Sequence, residues 1–569
     1  MKMKNIYKIF AIAALGSTFT LTSCIEEPVP TNTVTDEVLA SSSKASEALV
    51  WAMPAFLNKF AVYADDQAYD WGYGSLMHIR DVMTADMAVV SSGYNWYSSW
   101  AANQYQGRRY ARTAFAWYYY YGAINTANNA IGALAGTTEG ISAGYLGAAY
   151  AYRALFYLDA ARIYEFLPND VYGADYKTEA EAGETVTDST TYGHSINYLT
   201  IPIVTDETPE DKVQNNPRAS HEDMYAFILS DLDKAEALIT NYSRSSKTTP
   251  DLACVYGLKA RLYMWNAGYL EETGKGDAQA EYAKAEQAAR NAINTGGNQP
   301  LTKDEWLSTT DGFNKMSVSS WMWAANASAD DDVVQTGILN WTSWMSNEAV
   351  FGYAAAGPFT MIASALYDAI NDTDFRKLSF KAPEGSPLSG KEPILIQDEN
   401  SPEYMWATFP AYTSIKFRPA GGTVSDATVG AATDFPIMRV EEMYLIEAEA
   451  AAHQDAGRGV ELLKNFVTTY RDPGYICKAS SVEDAVEAVF LQKRIELWGE
   501  GQTFFDYKRL NHSVDRTTST NWAATENLKT EGRPAWMTFP IIISEENNNQ
   551  GIKGKNNPDP SDKYKPVEE

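Results

Sequence analysis

The chain has 569 residues, a formal net charge of −27 and 13% aromatic residues, among them 15 Trp and 36 Tyr. That charge argues against nucleic acid and anionic lipid surfaces as partners and disfavours strongly anionic ligands outside a local basic patch. Three cysteines in a chain of this length exclude a disulfide framework. The aromatic content exceeds what a core requires, and Tyr and Trp are the residues that sit half exposed, with a flat apolar face and a polar edge.

Met1–Ser23 reads as a targeting segment. Lys2, Lys4 and Lys8 form a basic start, and Ile9–Leu15 is an apolar stretch too short to span a bilayer. It ends in Leu21-Thr22-Ser23-Cys24, which resembles the bacterial lipobox, in which a signal peptidase cuts before a lipid-modified cysteine. Acyl chains on Cys24, at about 0.8 kcal/mol per buried CH₂, anchor a protein firmly to a membrane. Residues 24–43 are a polar tether. No Gly/Ser or Pro linker divides the remainder, so residues 44–569 are expected to be one unit, with an N-terminal part to about 240 and a C-terminal part from about 250.

Helical reading starts near Lys44 and runs to about Ala64. Gly74–Met83 follows as a helix, with Leu76, Ile79 and Met83 on one side. Ser91–Trp100 interleaves serines, Gly93 and Asn95 with Tyr94, Trp96, Tyr97 and Trp100, the composition of a loop that presents rings, the alternative being that these rings plug the core. Arg108–Leu134 is a long helical region, and Tyr145–Pro168 is another, apolar or aromatic nearly all round. Arg153, Asp159, Arg162 and Glu165 forbid a membrane reading of that stretch, because each charge at a bilayer centre costs roughly 2.5–3.5 kcal/mol. Residues 173–214 are a polar excursion around a strand-like piece, Leu199–Val204. His221–Ile239 is an amphipathic helix with Ser220 as its cap and Asp223 three residues on.

The small-and-large alternation of Tyr145–Pro168 returns at Ala253–Leu270, Tyr282–Ile293 and Val440–Ala452. Tetratricopeptide-type helix pairs pack in this way, and the irregular spacing predicts embedded pairs rather than a regular solenoid. Ser317–Ala324 alternates as a strand. Asp330, Asp331 and Asp332 offer oxygen ligands of the kind calcium takes, but they lack the Gly and Glu spacing of a calcium loop and read as a solvated charge run. Leu339–Trp344 sets Trp341 and Trp344 among Asn340, Thr342 and Ser343, again as a loop. Residues 372–418 read as short strands and loops, and Ile437–His453, Gly457–Tyr470 and Val482–Leu510 as helices. Cys254 lies in a buried-looking helix, where a small inert thiol is expected, although pairing with Cys477 stays open.

The catalytic motifs are missing or bland. There is no GxSxG and no Gly-rich phosphate loop, and His78, His194, His221, His453 and His512 have no ligand-type spacing. Glu496 and Glu500 lie four apart on one helix face and offer the two carboxylates a glycosidase needs, roughly 5–5.5 Å or 6.5–9.5 Å apart. Arg494, Lys508 and Arg509 stand close in sequence, so these acids are expected instead in buried ion pairs.

The lipobox with Glu26 and Glu27 behind it, Asp70–Met87, Tyr145–Pro168, Ile201–Val204, Asn215–Ile228, Ala253–Trp265, Pro436–Ala452, Gln492–Leu510 and Trp536–Gln550 together resemble the SusD/RagB family of Bacteroidota surface lipoproteins, in the family's order. Cys254 departs from the pattern, where a small residue such as alanine is usual. The resemblance implies a mostly α-helical, SusD-like fold, with four tetratricopeptide-like helix pairs and an irregular, loop-rich part with a few short strands. It implies a non-catalytic protein without cofactor, lipid-anchored at the outer membrane and facing outward. Its partners would be an oligosaccharide and a SusC-like TonB-dependent transporter. RagB-type members serve peptide import, so a peptide ligand is the alternative, and a scaffold that binds neither is a third reading. Family ligand-binding rings come from an early loop and a second one past mid-chain. The expected site is therefore a shallow cradle of Trp96, Tyr97, Trp100, Trp341 and Trp344, with Asn95 and Asn340 as hydroxyl partners.

Overall fold

Gly140–Tyr164, the helix called α5 below, is buried along its whole second half and most of its first. Its alanines let other helices approach, and Tyr152, Phe156, Tyr157 and Tyr164 fill the space between them. The computed structural model describes residues 43–64, 67–90, 95–178 and 195–567. The targeting segment, Cys24, the tether up to residue 42, Tyr94 and His194 lie outside these residues.

Ahead of α5 come α1 (Ser43–Leu57), α2 (Tyr73–Val82), the strand β1 (Met87–Val89), the short α3 (Trp96–Ala101) and the long α4 (Ala111–Leu134). After it come α6 (His221–Ile239), α7 (Leu252–Thr273), α8 (Ala278–Thr295), β2 (Trp321–Ala325), the short α9 (Trp341–Met345), β3 (Thr360–Ile362) and β4 (Phe435–Arg439). The chain closes on α10 (Val440–Gln454), α11 (Ala456–Tyr470), α12 (Val482–Glu496) and α13 (Thr503–Arg509). Eight of these helices stack in the order α4, α5, α6, α7, α8, α10, α11, α12 as tetratricopeptide-like pairs. Residues 296–434 separate α8 from β4 and α10 and form the irregular part.

Local signals set the helix starts. Ser220 accepts a hydrogen bond from the Asp223 N–H at the start of α6, and Asp251, Asp277, Asp455 and Ser481 cap α7, α8, α11 and α12 in the same way. The two sheets are small: β1 pairs antiparallel with β3 (Met87 opposite Ile362), and β2 with β4 (Ala325 opposite Phe435). All four strands are buried.

Four sequence expectations are corrected. Leu199–Val204 is not a strand beyond a single bridge from Leu199 to Ser220. Ser91–Trp100 and Leu339–Trp344 each contain a helical turn, α3 and α9, rather than only loop. Val482–Leu510 is two helices, because Gly499 (φ 79°) and Gly501 (φ 66°) take the left-handed backbone between them. A Cβ at Gly501 would lie 2.7 Å from the Met77 Cα, so glycine is also what lets this turn touch α2.

The C-terminal segment runs back through the N-terminal half. Lys508 donates to the carbonyls of Arg162 (2.7 Å), Ile163 (3.1 Å) and Glu165 (2.7 Å), the open C-terminal end of α5. Phe539 N–H donates to the Ile163 carbonyl, Asn557 to that of Tyr164, and Arg516 to those of Val82, Thr84 and Ala101.

Candidate ligand-binding site

Asn95 and Asn340 do for α3 and α9 what Ser220 does for α6. The Asn95 Oδ1 accepts the Tyr97 N–H at 3.1 Å, and the Asn340 Oδ1 accepts the Ser343 N–H at 2.9 Å. These acceptors are spent on capping and are buried, so neither is presented to a ligand. Each cap starts a helix of one or two turns, too short to bury a stripe of its own, so its rings reach into whatever lies beside it.

The two segments meet. The rings of Tyr97 and Trp344 lie 4.8 Å apart at 71°, Tyr97 and Trp100 5.3 Å apart at 90°, and Trp341 stacks on Phe435 at 4.8 Å. Trp71 donates to the Tyr97 hydroxyl at 2.7 Å, and that hydroxyl also meets Ser75 Oγ at 2.8 Å. They form an internal aromatic block and not the shallow cradle expected: Tyr97, Trp100, Trp341 and Trp344 are all less than 5% exposed. Helix α2, β4 and the 351–359 loop cover them, which no local composition reveals. Burial pushes the Tyr97 phenol pKa up, and it pushes His78, 4.2 Å from the Tyr97 ring, down to about 3.

Two rings carry the block to its outer side. Trp96 is half-buried, its edge on Tyr69 at 5.8 Å and its ring tilted against Trp100 at 6.3 Å. Tyr353, also half-buried, stacks on Trp344 at 4.2 Å and 22°. Its N–H donates to the Ser343 Oγ, and Gly352 before it has φ 62° with its Cβ direction blocked 2.3 Å away by that same oxygen. Tyr353 is the ring that the sequence reading missed. The Gly-Tyr pair two positions after Val350 was its only signal.

Glu496 and Glu500 form a charge hub. The Glu496 carboxylate accepts from Arg376 Nη1 (2.9 Å), Arg439 Nη1 (3.1 Å), and Arg471 Nε (2.8 Å) and Nη2 (2.9 Å). Glu500 accepts from Lys416 Nζ (2.7 Å) and from Arg439 Nε and Nη2 (both 2.8 Å). Burial alone would raise the Glu496 pKa, but Arg471, Arg439 and Arg376 hold it well below the usual carboxylate range. Burial pushes Lys416 down to about 8 against the pull of Glu500. Buried ion pairs were expected, but with other partners. Arg494 pairs with Asp86, Arg509 with Glu449 and Asp506, and Lys508 with the end of α5.

The remaining candidates are quieter. The Asp331 carboxylate accepts the Ser328 N–H, Asp332 opens a short helical turn, and no group of three or more metal-ligating side chains is found among the described residues. Cys254 and Cys477 are both free. Burial pushes the Cys254 thiol up to about 12. A polar surface groove of about 570 Å³ lies between α7, α13 and the 168–174 loop, lined in part by Asn169, Asp170, Glu271, Asn511 and Arg533. No helix among the described residues is long and apolar enough to cross a membrane.

A family described as starch-binding and associating with the outer membrane matches residues 37–264, and the SusD family matches residues 398–560. No curated protein sequence matches. Among solved structures, a SusD-like carbohydrate-binding protein from Bacteroides vulgatus is similar at 20% identity, over 89% of this chain and 96% of that one, with a TM-score of 0.64. A SusD superfamily protein from Bacteroides thetaiotaomicron is similar at 18% identity, over 90% and 99%, with a TM-score of 0.64. A laminarin-binding SusD-like protein is similar at 15% identity, over 90% and 98%, with a TM-score of 0.59.

Proposed function

Because the chain belongs to the SusD/RagB family, whose members associate with the outer membrane, we propose that it is an outward-facing, glycan-binding lipoprotein. It is anchored through Cys24 and passes oligosaccharide to a SusC-like TonB-dependent transporter without altering it. What carries the glycan reading is the pair of half-buried rings, Trp96 and Tyr353, fixed on a rigid aromatic block. A flat indole or phenol face covers the C–H face of a sugar ring and removes apolar area from water while the sugar hydroxyls stay free for hydrogen bonds. The carbohydrate- and laminarin-binding relatives support the same ligand class.

Absence of catalysis is part of the proposal. Both oxygens of Glu496 and both of Glu500 are occupied by cationic donors inside the core, which leaves neither as a free acid or base. The test is a glycan array and a peptide library on the purified protein, followed by calorimetry and product analysis with the tightest ligand. Saturable oligosaccharide binding with the sugar recovered intact supports the reading. Selective peptide binding, or release of reducing ends, overturns it.

A further inference from the structure

Where the end of α5 meets α7, α10, α12 and α13 there is a partly open cavity of about 50 Å³, and nine of its eighteen lining residues are charged. On one side three guanidiniums share two carboxylates. Arg80 and Arg162 both bind Asp159 (2.9 and 2.7 Å), and Arg261 binds Glu442 through Nε and Nη2 (2.7 Å each). The other charged groups at the cavity cancel. Lys493 and Arg509 lie against Glu449 and Asp506, Arg533 against Glu272, and Lys508 faces Glu165. Burial pushes Lys508 down to about 7, so the cationic and anionic groups here come close to balance, in a chain whose net charge is −27.

Two of the arginines keep free donors. Arg261 Nη1 and Arg509 Nη1 are buried without a hydrogen-bond partner, and both residues line the cavity. Burial lowers the Arg162 pKa, Asp159 opposes this, and the neighbouring Arg261 and Arg80 lower it further, as like charges crowded in one place do. A buried guanidinium nitrogen without an acceptor is a costly arrangement unless an anion or a water completes it.

We propose that this cavity is a binding site for one small monovalent anion, of halide or formate size, held by the Nη1 groups of Arg261 and Arg509. Volume sets the class. A water needs roughly 10–15 Å³ of such space, so the cavity takes an ion and a bridging water, while pockets for larger organic ligands span about 300–1,000 Å³. It is therefore not an oligosaccharide site and stands apart from the glycan reading. Arg509 and Gly268 also line the 570 Å³ groove outside, so the two spaces adjoin.

The test uses the full chain and bromide as the probe. Crystals grown or soaked in bromide should show an anomalous peak in the cavity beside Arg261 Nη1. At fixed ionic strength, exchanging gluconate for bromide should raise the melting midpoint in proportion to the logarithm of bromide concentration. That rise should vanish in Arg261→Gln and persist in Arg458→Gln, which alters an exposed arginine. Should Arg261→Gln not fold, Arg509→Lys keeps the charge, removes Nη1 and should flatten the response. A cavity that holds only water in bromide, or an equal bromide response in all variants, overturns the proposal.

Discussion

Around Glu496 every carboxylate oxygen has a cationic donor, whereas in the aromatic block the indole N–H groups of Trp100, Trp341 and Trp344 have no partner. Both clusters are buried. The hub is fixed by paired charges and has one workable geometry. The block is fixed by ring shape, with edge-to-face contacts that tolerate small rotations. Failure should differ accordingly: a lost partner strands a charge in the hub, while a lost ring leaves a hole in the block.

The largest effect is expected at the hub. Glu496→Gln removes the counter-charge of three arginines and should cost about 3–5 kcal/mol, read by denaturant unfolding. A loss below about 1 kcal/mol would mean that the hub relaxes as freely as the block. In the block, Trp344→Ala should also cost on the order of 3–5 kcal/mol, through cavity formation, and Trp344→Phe clearly less, since it refills most of the hole. No such partial rescue is expected at Glu496 from Asp, whose shorter arm cannot reach all three arginines.

Acid separates the two regions. The His78 pKa is depressed from 6.5 to about 3, so its share of stability is full above pH 6.5 and drains as pH falls towards 3. Glu496 is also depressed, so its share is full above the ordinary glutamate value of about 4.3 and drains only below it. Near-ultraviolet circular dichroism, which reports the packed rings, should therefore begin to weaken at higher pH than the cooperative loss of helix. His78→Gln should remove the early phase. Coincident transitions would show that the two clusters titrate as one.

At the outer side the effects move from stability to binding. Trp96→Ala or Tyr353→Ala should weaken the best oligosaccharide by about 2 kcal/mol, roughly thirtyfold, with little change in melting midpoint. If both variants bind as the unaltered protein does, the ligand lies elsewhere, and the 168–174 groove becomes the next surface to mutate. The smallest effect belongs to the caps: Asn340→Ala and Asn95→Ala should each cost about 1 kcal/mol of stability and change affinity only through it.

The helical pairs were legible in the sequence because their signals are local: a Ser or Asp cap on α6, α7, α8, α11 and α12, and alternating small and large residues in α5, α7, α8 and α10. The family resemblance was equally local, in stretches such as Gln492–Leu510. The candidate site was half legible. Trp96–Trp100 and Asn340–Trp344 do come together, but their burial depends on α2 and Phe435, far away in the chain. Asn95 and Asn340 looked like sugar partners because an asparagine before a ring-rich turn has the same composition whether it caps or binds. The partners of Glu496 were hidden for a similar reason: Arg376 lies 120 positions away, and Arg439 57.

Lys508 seals the end of α5, and residues 516–557 bond back to carbonyls between Val82 and Tyr164. This threading ties completion to the last stretch of synthesis. An emerging chain can form α2 and α5 early, yet their carbonyl ends stay open until the final sixty or so residues have left the ribosome. A chain stopped before Lys508 should behave as a degradation substrate, not as a smaller working protein.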